Sequence, residues 1–564
     1  MPLSVNIENI ILSIQQWLLT TYNAKELTTD EIIKFSKTYK YGWKFDILIG
    51  EYKYNLALLI DQEFPFSIPR IAITNHDLFL RWPHIEENGL VCLTEPNISI
   101  RHDSHVELIQ ELIERLIALI NESVLGTNQE DFIDEFRSYW GKWRKDELQE
   151  VLYIGAPPSN ASTYLFYYER KDILILSDSE KQLKRWIKDA LNKTIDSLDQ
   201  IKKTVLIFLS KPLYPHMYPI NSKEMTDLVN EHGLNEKIFQ HPAAFNLRDA
   251  KTACDLLKQV VPKHKTRLPV VFGFNTANGS ALGLVWYQEP VICRGNKVKY
   301  TRFNGFRNNK LTDVTRRRYI DSSEEILTSL VSPVNYDQIM LRSGEECKQI
   351  SSKRVTILGV GSLGSHIAKL FVQAGIKNLY LIDNEAMNWG NTSRHILGGQ
   401  EVSKSKAAAL KRYLDRHFPG MLNIDISATK WQLITKELWT KVFSSDLILA
   451  LIGNWNDDAA LNYLFNTTEC PPIVYGWVEP YSVAGHAIAI LKKGGCLECG
   501  TDRYGTFDCQ ATQWDKKTEL IEPACGISYQ PYGIIDTLPV QSMINVNYDS
   551  CPTTIIFPVF EKKI

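Results

Sequence analysis

Long apolar runs are missing from this 564-residue sequence. Stretches such as Leu447 to Ile452 fall far short of the roughly 20 residues that cross a bilayer, so no membrane span is expected. An excess of charge is missing too. Lys and Arg (63) nearly balance Asp and Glu (65), for a formal net charge of -2, and nucleic-acid binding would lack the positive field it draws on. The run Arg316-Arg317-Arg318 is read as solvated surface. The start, Met1-Pro2-Leu3-Ser4-Val5, has no basic stretch followed by an apolar core and a cleavage site, so a cytoplasmic location is expected. Cysteine is sparse, ten residues in all, and in that compartment these are thiols for catalysis or metal binding rather than a disulfide framework.

What is present is the composition of ordinary globular protein, 44% hydrophobic and 23% charged, which excludes a disordered or fibrous chain. At roughly 150 residues per domain, three or four units are expected. From Trp43 come short β-rich runs, Trp43 to Gly50, Tyr54 to Ile60 and Arg70 to Ile73, flanked by helical patterns over Ile7 to Tyr22 and Val106 to Val124. These form an N-terminal α+β domain, residues 1–145. Residues 150–335 mix strands (Asp172 to Leu176, Val205 to Leu209) with a helix around Glu180 to Leu198 and a polar loop near Asn304 to Asp313. No chemical motif stands out there, so a connecting α/β domain is expected. In the last unit, residues 336–564, strands at Arg354 to Leu358, Asn378 to Ile382 and Asp446 to Leu451 alternate with helices at Gly364 to Ala374, Ser403 to Phe418 and Asp457 to Phe465. That alternation predicts a doubly wound, Rossmann-like sheet and an α/β chain overall.

Gly359-Val-Gly361-Ser-Leu-Gly364 lies between a predicted strand and helix, where small residues let backbone approach phosphates at a helix N-terminus. Asp383 ends the second strand 19 residues beyond the last glycine, the spacing of a carboxylate that meets a ribose. A nucleotide site follows, with NAD and ATP both open. The next residues, Asp383-Asn-Glu385-Ala-Met-Asn-Trp-Gly-Asn391-Thr-Ser-Arg394-His395 and Val402-Ser-Lys-Ser-Lys406, resemble the ThiF/MoeB and ubiquitin-activating family. In that family such residues surround ATP, and a cluster of cations suits adenylation because negative charge builds on the phosphates in the transition state. The resemblance therefore implies ATP with Mg2+, bound by Gly359, Gly361, Gly364, Asp383, Glu385, Asn391, Arg394 and Lys406. It also exposes departures. Asp337 stands where an arginine reaches ATP across the family's dimer, and Gly453 stands where a metal-binding aspartate ends a strand, with Asp457 or Asp458 as a substitute.

In the same family a cysteine in a crossing loop captures the acyl-adenylate, and Pro523-Ala-Cys525-Gly526 fits that place; a buried or metal-ligating thiol is the alternative. Cys496-Leu-Glu-Cys499 resembles half of the family's zinc site. The other half would be Cys551, or Cys509 with Cys525, or there is no Zn2+. The tail after Ile534, with Cys551-Pro-Thr-Thr-Ile-Ile-Phe-Pro, departs from the helix expected of the family.

The N-terminal unit carries its own resemblance, to the ubiquitin-conjugating fold. Phe64-Pro65-Phe66-Ser67-Ile68-Pro69 and Trp82-Pro83-His84 precede Cys92, which follows Pro83 by nine residues, with Gly89 three before it. Cys92 is implied as a thioester acceptor, against the alternative of a buried thiol. His84 takes the place of the family's oxyanion-stabilising asparagine, where it could donate a hydrogen bond, orient the loop, or titrate near neutrality. His102 and His105 are expected at a helix N-terminus, and Cys254, Cys293 and Cys347 to pack or lie exposed.

Together these imply a relay in which ATP activates a protein's C-terminal glycine, Cys525 captures the acyl group, and Cys92 passes it to an amine. The order of units resembles the bacterial conjugating–activating fusion found with cGAS-like nucleotidyltransferases (CD-NTases) in CBASS anti-phage operons. Such a partner, an isopeptidase and a homodimer are implied by that resemblance, with no nucleic acid or membrane as partner. The rival expectations are a sulfur-carrier or ubiquitin-like protein activator, which has no use for Cys92, a NAD enzyme, which has no use for Arg394 and Lys406, and a non-enzymatic scaffold.

Overall fold

The computed structural model describes residues 7–93, 105–143, 150–156, 161–195, 200–234, 252–261, 267–277, 279–288, 292–294, 297–299, 313–343, 346–491, 495–502, 507–508, 511–513, 518–521 and 528–546. The chain is mixed α/β throughout, as its alternating patterns predict.

In the first unit, helix α1 (Ile7–Tyr22) buries Ile11, Ile14 and Leu18, a stripe at helical spacing. Strands β1 (Lys25–Glu26), β2 (Tyr39–Ile49), β3 (Tyr52–Asp61), β4 (Arg70–Ile73) and β5 (Leu90–Val91) form one antiparallel sheet in chain order, with the short helix α2 (Thr29–Ile33) after β1. Alternation along β3 sends Leu56, Leu58 and Ile60 toward α1 and α3 (His105–Leu125), and Ala57 and Leu59 toward Leu27 and Ile32. Both faces of the sheet are therefore covered.

The next two helices, α4 (Asp131–Asp134) and α5 (Phe136–Trp140), precede the boundary expected near residue 145 and turn an aromatic side toward the second unit. Their Phe132, Phe136, Tyr139 and Trp140 pack with Val205, Ile207, Phe272 and Val285 of the second unit. A helix this short has too few apolar positions for two cores, and α4–α5 gives its aromatic side to the second.

That second unit is a closed barrel. Its strands are β6 (Glu150–Tyr153), β7 (Thr163–Glu169), β8 (Ile173–Ser177), β9 (Lys202–Phe208), β10 (Leu268–Thr276), β11 (Gly279–Tyr287) and, after a small hairpin β12 (Ile292–Arg294) and β13 (Lys297–Lys299), β14 (Leu327–Pro333). They close in the order β10-β11-β14-β6-β8-β7-β9 around an interior that includes Tyr153, Leu174, Phe208, Leu284 and Trp286. Helices α6 (Glu180–Leu191), α7 (Ser222–His232), α8 (Ala253–Val260) and α9 (Asp313–Ile320) decorate it. The helix expected to reach residue 198 stops at Leu191, because Asn192 adopts a left-handed cap (φ 51°). Gly283 makes room for α5: a Cβ there would lie 2.4 Å from the Phe272 ring and 3.0 Å from Trp140 Nε1.

The third unit begins with α10 (Tyr336–Ile339) and α11 (Glu346–Ile350) and builds a six-stranded sheet. Its strands are β15 (Arg354–Leu358), β16 (Asn378–Ile382), β17 (Asn423–Ser427), β18 (Leu447–Ala450), β19 (Ile473–Val478) and β20 (Gly485–Ile490), in the order β17-β16-β15-β18-β19-β20, with only β20 antiparallel. Helices α12 (Gly364–Ala374) and α13 (Lys406–His417) cover one face, α14 (Lys436–Phe443) and α15 (Trp455–Thr467) the other. A doubly wound sheet opens a crevice where its strand order reverses, here between β15 and β18. After a two-strand ribbon, β21 (Leu520–Ile521) and β22 (Ser528–Tyr529), the chain ends in α16 (Leu538–Val546), which buries Val540, Met543 and Ile544 beside α12. This helix corrects the expectation that the tail lacks one; Cys551 lies outside the described residues.

Trp140 is fully buried, stacks on Phe136 at 5.7 Å, meets Phe272 edge-on at 4.9 Å and donates from Nε1 to the Ser329 carbonyl at 3.2 Å. Trp140→Ala should destabilise the barrel by about 3–5 kcal/mol, read as a lowered calorimetric transition. A shift under one degree would show that α5 is not part of the barrel core.

Candidate functional site: a glycine-loop crevice and an exposed thiol

The crevice is built around the peptide of Val360. Gly359, at φ +84°, sits so close to β18 that a Cβ would lie 2.7 Å from the Leu451 carbonyl oxygen. A Cβ on Gly364 would lie 2.0 Å from the Gly359 oxygen, whereas one on Gly361 would meet no heavy atom within 4 Å. Two of the glycines are thus demanded by packing, and the third keeps the face toward the crevice open. The Val360 N–H donates to Asp383 at 2.9 Å, and the Val360 carbonyl accepts from His395 Nε2 at 2.7 Å. His395 Nδ1 accepts the Leu397 N–H at 3.1 Å, so the ring is neutral, and burial pushes its pKa down to about 4.

Asp383 is buried, and its second oxygen accepts the Glu385 N–H at 2.8 Å. Burial raises its pKa, with the two amide donors working in the opposite direction. In this structure the carboxylate stitches the loop together, which the spacing argument for a ribose contact did not foresee. Lys406, buried at the start of α13, pairs with the largely exposed Glu385. Asn391 forms a reciprocal cap with Asn388, its side-chain oxygen accepting that residue's N–H at 3.0 Å. Arg394 lies over the Tyr532 ring, 4.5 Å from its centroid, and donates to the Gln530 carbonyl at 3.1 Å.

Gly361, Ser362, Asn391, Arg394, His395, Lys406 and Tyr532 enclose a cavity of about 160 Å3. It shares Gly361, Ser362, Arg394 and Tyr532 with a larger cleft of about 640 Å3 that runs past Gly453, Trp455 and Asp458 to Trp477 and His486. The first is rich in donors and cations, the environment an oligophosphate needs. Asp458, not Asp457, faces the larger cleft: Asp457 is bonded to the Gln432 side chain, while Asp458 is buried with its Oδ1 unpaired. Burial, with Asp457 adding, pushes the Asp458 pKa up to about 7. A buried carboxylate with an unsatisfied oxygen suits a cation that Gly453 cannot bind. Asp337 is exposed on α10, away from this lining.

Cys525 lies outside the described residues. The chain on either side of it is paired, Ile521 with Ser528 and Leu520 with Tyr529, and continues to Gln530 and Tyr532 at the cavity. Cys496 and Cys499 hold their sulfurs 3.5 Å apart, close to the ~3.8 Å edge of a tetrahedral zinc-thiolate site. Among the described residues no third ligand joins them, and Cys509 and Cys551 lie outside. Two thiols alone do not make a zinc site.

The second site is at the end of β5. Gly89, at φ +80°, is required because a Cβ would lie 2.3 Å from the Ile73 oxygen. The turn it permits brings Ile85 opposite Val91 and leaves Cys92 exposed, its N–H donating to the His84 carbonyl at 2.8 Å. His84 itself has a left-handed backbone (φ 62°). Its Nε2 lies 3.0 Å from Asp131 and its Nδ1 3.2 Å from Glu135. The Glu135 hydrogen bond, with Asp131 adding and burial opposing, pushes the imidazole pKa up to about 9. The ring is therefore a cation at neutral pH, which corrects the expectation that it titrates there. Both nitrogens are engaged with helix carboxylates, so the geometry favours orienting the loop over donating to an oxyanion. Among the other histidines, His105 is buried at the start of α3 and His102 lies outside the described residues. Asp131, Glu135 and Tyr139 gave no sequence signal, lying 47 to 55 residues from His84.

Two family models match the chain: the ThiF family over residues 336–528 and Prokaryotic E2 family B over residues 16–149. An "ATP-dependent ubiquitin transferase-like protein Cap2" of Pseudomonas aeruginosa is 22% identical over 456 residues, 78% of this chain and 75% of that protein. A protein of the same description from Enterobacter hormaechei is 42% identical over 83 residues, 15% of this chain and 14% of its own. Among solved structures, E. coli MccB with AMPCPP and MccA aligns at 20% identity and a TM-score of 0.24, over 27% of this chain and 45% of that one.

The glycines separate two outcomes. Gly364→Ala should lower the melting temperature by several degrees, while Gly361→Ala should leave it within about one degree; equal shifts would overturn the assignment of Gly361 to the open face. For His84 the folded pKa lies above the unfolded value of about 6.5. Its stabilisation is complete below pH ~6.5 and lost as pH rises through about 9. The melting-temperature gap between wild type and His84→Gln should therefore shrink from pH 6 to pH 9.5, and a constant gap would contradict the ion pair.

Proposed function

From a chain that carries a Prokaryotic E2 family B segment at 16–149 and a ThiF-family segment at 336–528, we propose an enzyme that uses ATP to activate the C-terminal carboxylate of a partner protein and conjugates it to an amine. The observation that carries this reading is the pairing, in one chain, of an anion-binding crevice with an exposed cysteine on a braced loop.

The chemistry takes four steps. The partner's carboxylate attacks the α-phosphate of ATP, the bond to pyrophosphate breaks, and an acyl-adenylate forms. A thiolate, for which Cys525 is the candidate, attacks the acyl carbon and AMP leaves. The Cys92 thiolate attacks that thioester, releasing the first thiolate. An amine then attacks the Cys92 thioester, the Cys92 thiolate departs, and an amide remains after the amine loses a proton. Arg394 and Lys406 would offset charge building on the phosphates, with Gly361 admitting them to the backbone. A Mg2+ ion would add further positive charge there, and Asp458 offers it a buried, unpaired oxygen.

The larger cleft suits the extended C-terminus of the partner, since its walls are backbone-rich at Gly453 and Gly476 and apolar at Trp455, Trp477 and Phe507. A cGAS-like nucleotidyltransferase is the proposed partner, by the resemblance of the order of units to the conjugating–activating fusions of CBASS operons. Covalent linkage of the two modules raises the effective concentration of one thiol near the other. A sulfur-carrier activator would share the first step and leave Cys92 without a task.

Pyrophosphate exchange into ATP should depend on an added partner ending in glycine, and Arg394→Ala should lower it by about 100-fold or more. A thiol-sensitive adduct on the chain should be lost in Cys92→Ala while exchange persists. Exchange with no candidate partner, or an adduct indifferent to Cys92, would overturn the proposal.

A further inference from the structure

The barrel has no chemical motif, yet it reaches the exposed cysteine through α4–α5. Four polar groups of His84 are engaged. Its N–H donates to Tyr139 Oη at 2.6 Å, its carbonyl accepts the Cys92 N–H at 2.8 Å, and its ring nitrogens face Asp131 at 3.0 Å and Glu135 at 3.2 Å. Tyr139 Oη in turn donates to Glu135 at 2.7 Å. A left-handed backbone on a residue other than glycine costs on the order of 1 kcal/mol and persists only where its surroundings impose it. Here the surroundings are three side chains spaced four residues apart along α4 and α5.

Those three side chains are mounted on the barrel. Phe132, Phe136, Tyr139 and Trp140 are in its core, and Tyr214 of the barrel donates to Glu130 at 2.7 Å. Arg137 donates to the Val331 carbonyl at 2.7 Å and Trp140 to the Ser329 carbonyl at 3.2 Å, fixing α5 along β14. Among the described residues, other charged groups near the loop include Glu87, Glu86, which pairs with Arg70 at 2.8 Å, Lys142, which acts on Glu135, and Arg115 of α3, which pairs with Glu111 and reaches the Leu93 carbonyl at 3.5 Å. Arg115 alone does not set the backbone of residue 84.

We propose that Asp131, Glu135 and Tyr139 are positioning residues for Cys92, and that the barrel is the frame that holds them, so that the geometry of the acyl-accepting loop is set by a different domain from the one that carries the cysteine. The clasp is a cation gripped by two carboxylates, with a phenol bridging one of them to the backbone. None of the three is placed to touch substrate; each acts through His84. The consequence for transfer rests on the reading of Cys92 as acyl acceptor, whereas the consequence for the loop does not.

The test uses the full chain with Asp131→Asn/Glu135→Gln, Tyr139→Phe and Arg137→Ala. Deuterium uptake by the peptide spanning residues 84–93 should rise at least tenfold in the double variant and several-fold in Arg137→Ala, whose side chain donates to the barrel's Val331 and Ser332. The His84 ring nitrogens of the wild type should show the shifts of an imidazolium at pH 8, and the double variant should lose them. Acyl transfer to Cys92 should slow by 10- to 100-fold in the double variant with partner-dependent pyrophosphate exchange unchanged, and Asp131→Glu should recover most of the rate. Unaltered uptake in the double variant would overturn the clasp. Uptake that rises in the barrel alone for Arg137→Ala would overturn the barrel's role. If the wild type forms no adduct at Cys92, the functional reading falls, and the uptake and imidazole results still decide the clasp.

Discussion

The glycine-loop crevice depends on how one peptide bond is gripped. Where β15 and β18 lie side by side, their helices leave toward opposite faces, and the chain between them must pass within van der Waals contact of Leu451. Glycine at 359 satisfies the contact, and the next peptide is fixed from both ends, its N–H by Asp383 and its carbonyl by His395. Because His395 is the neighbour of Arg394, and Asp383 also binds the amide of Glu385, the same grip places the cations. Glu385 carries Lys406, and the Arg394 carbonyl accepts from His366 at 3.1 Å. Loosening that peptide would move Gly361 and both cations together.

This dependence explains what the sequence disclosed. A site assembled from strand, loop and helix in immediate succession leaves its whole pattern in one window, so residues 354 to 406 could be read directly. The same holds for Gly89 and Cys92, whose spacing is set by one tight turn. Which of Asp457 and Asp458 lines the cleft was not legible, because choosing between them needs the rotation of α15. Asp131, Glu135 and Tyr139 were illegible for a different reason: their partner is one histidine far away in the chain, and no periodicity connects them. The barrel was foreseen only as strands and helices, since closure follows from pairing β10 with β9 and β14 with β6, which is not local.

The two sites are therefore built on contrasting plans. The crevice belongs to one domain, and its smaller cavity is lined by one stretch, 361–406, with Tyr532 added from further along the chain. The Cys92 loop is shared, its turn made by the first sheet and its clasp supplied by helices whose apolar side is in the barrel. A chain ending at Leu125 would keep the cysteine, the turn and His84 and lose Asp131, Glu135 and Tyr139. The residues that hold the loop therefore come from α4 and α5, between α3 and the boundary expected near residue 145.

The charge of the clasp also bears on what residue 84 does. An asparagine at that position would keep a free amide to donate to a developing oxyanion. His84 has no free donor, since its N–H and both ring nitrogens are engaged. One cation between two carboxylates leaves the cluster net negative, the wrong sign for steadying an oxyanion. Its direct influence on the thiol runs through the hydrogen bond from the Cys92 amide, which fixes where the sulfur is presented. Rigidity, rather than charge stabilisation, is what this substitution supplies, and the barrel is what makes that rigidity available.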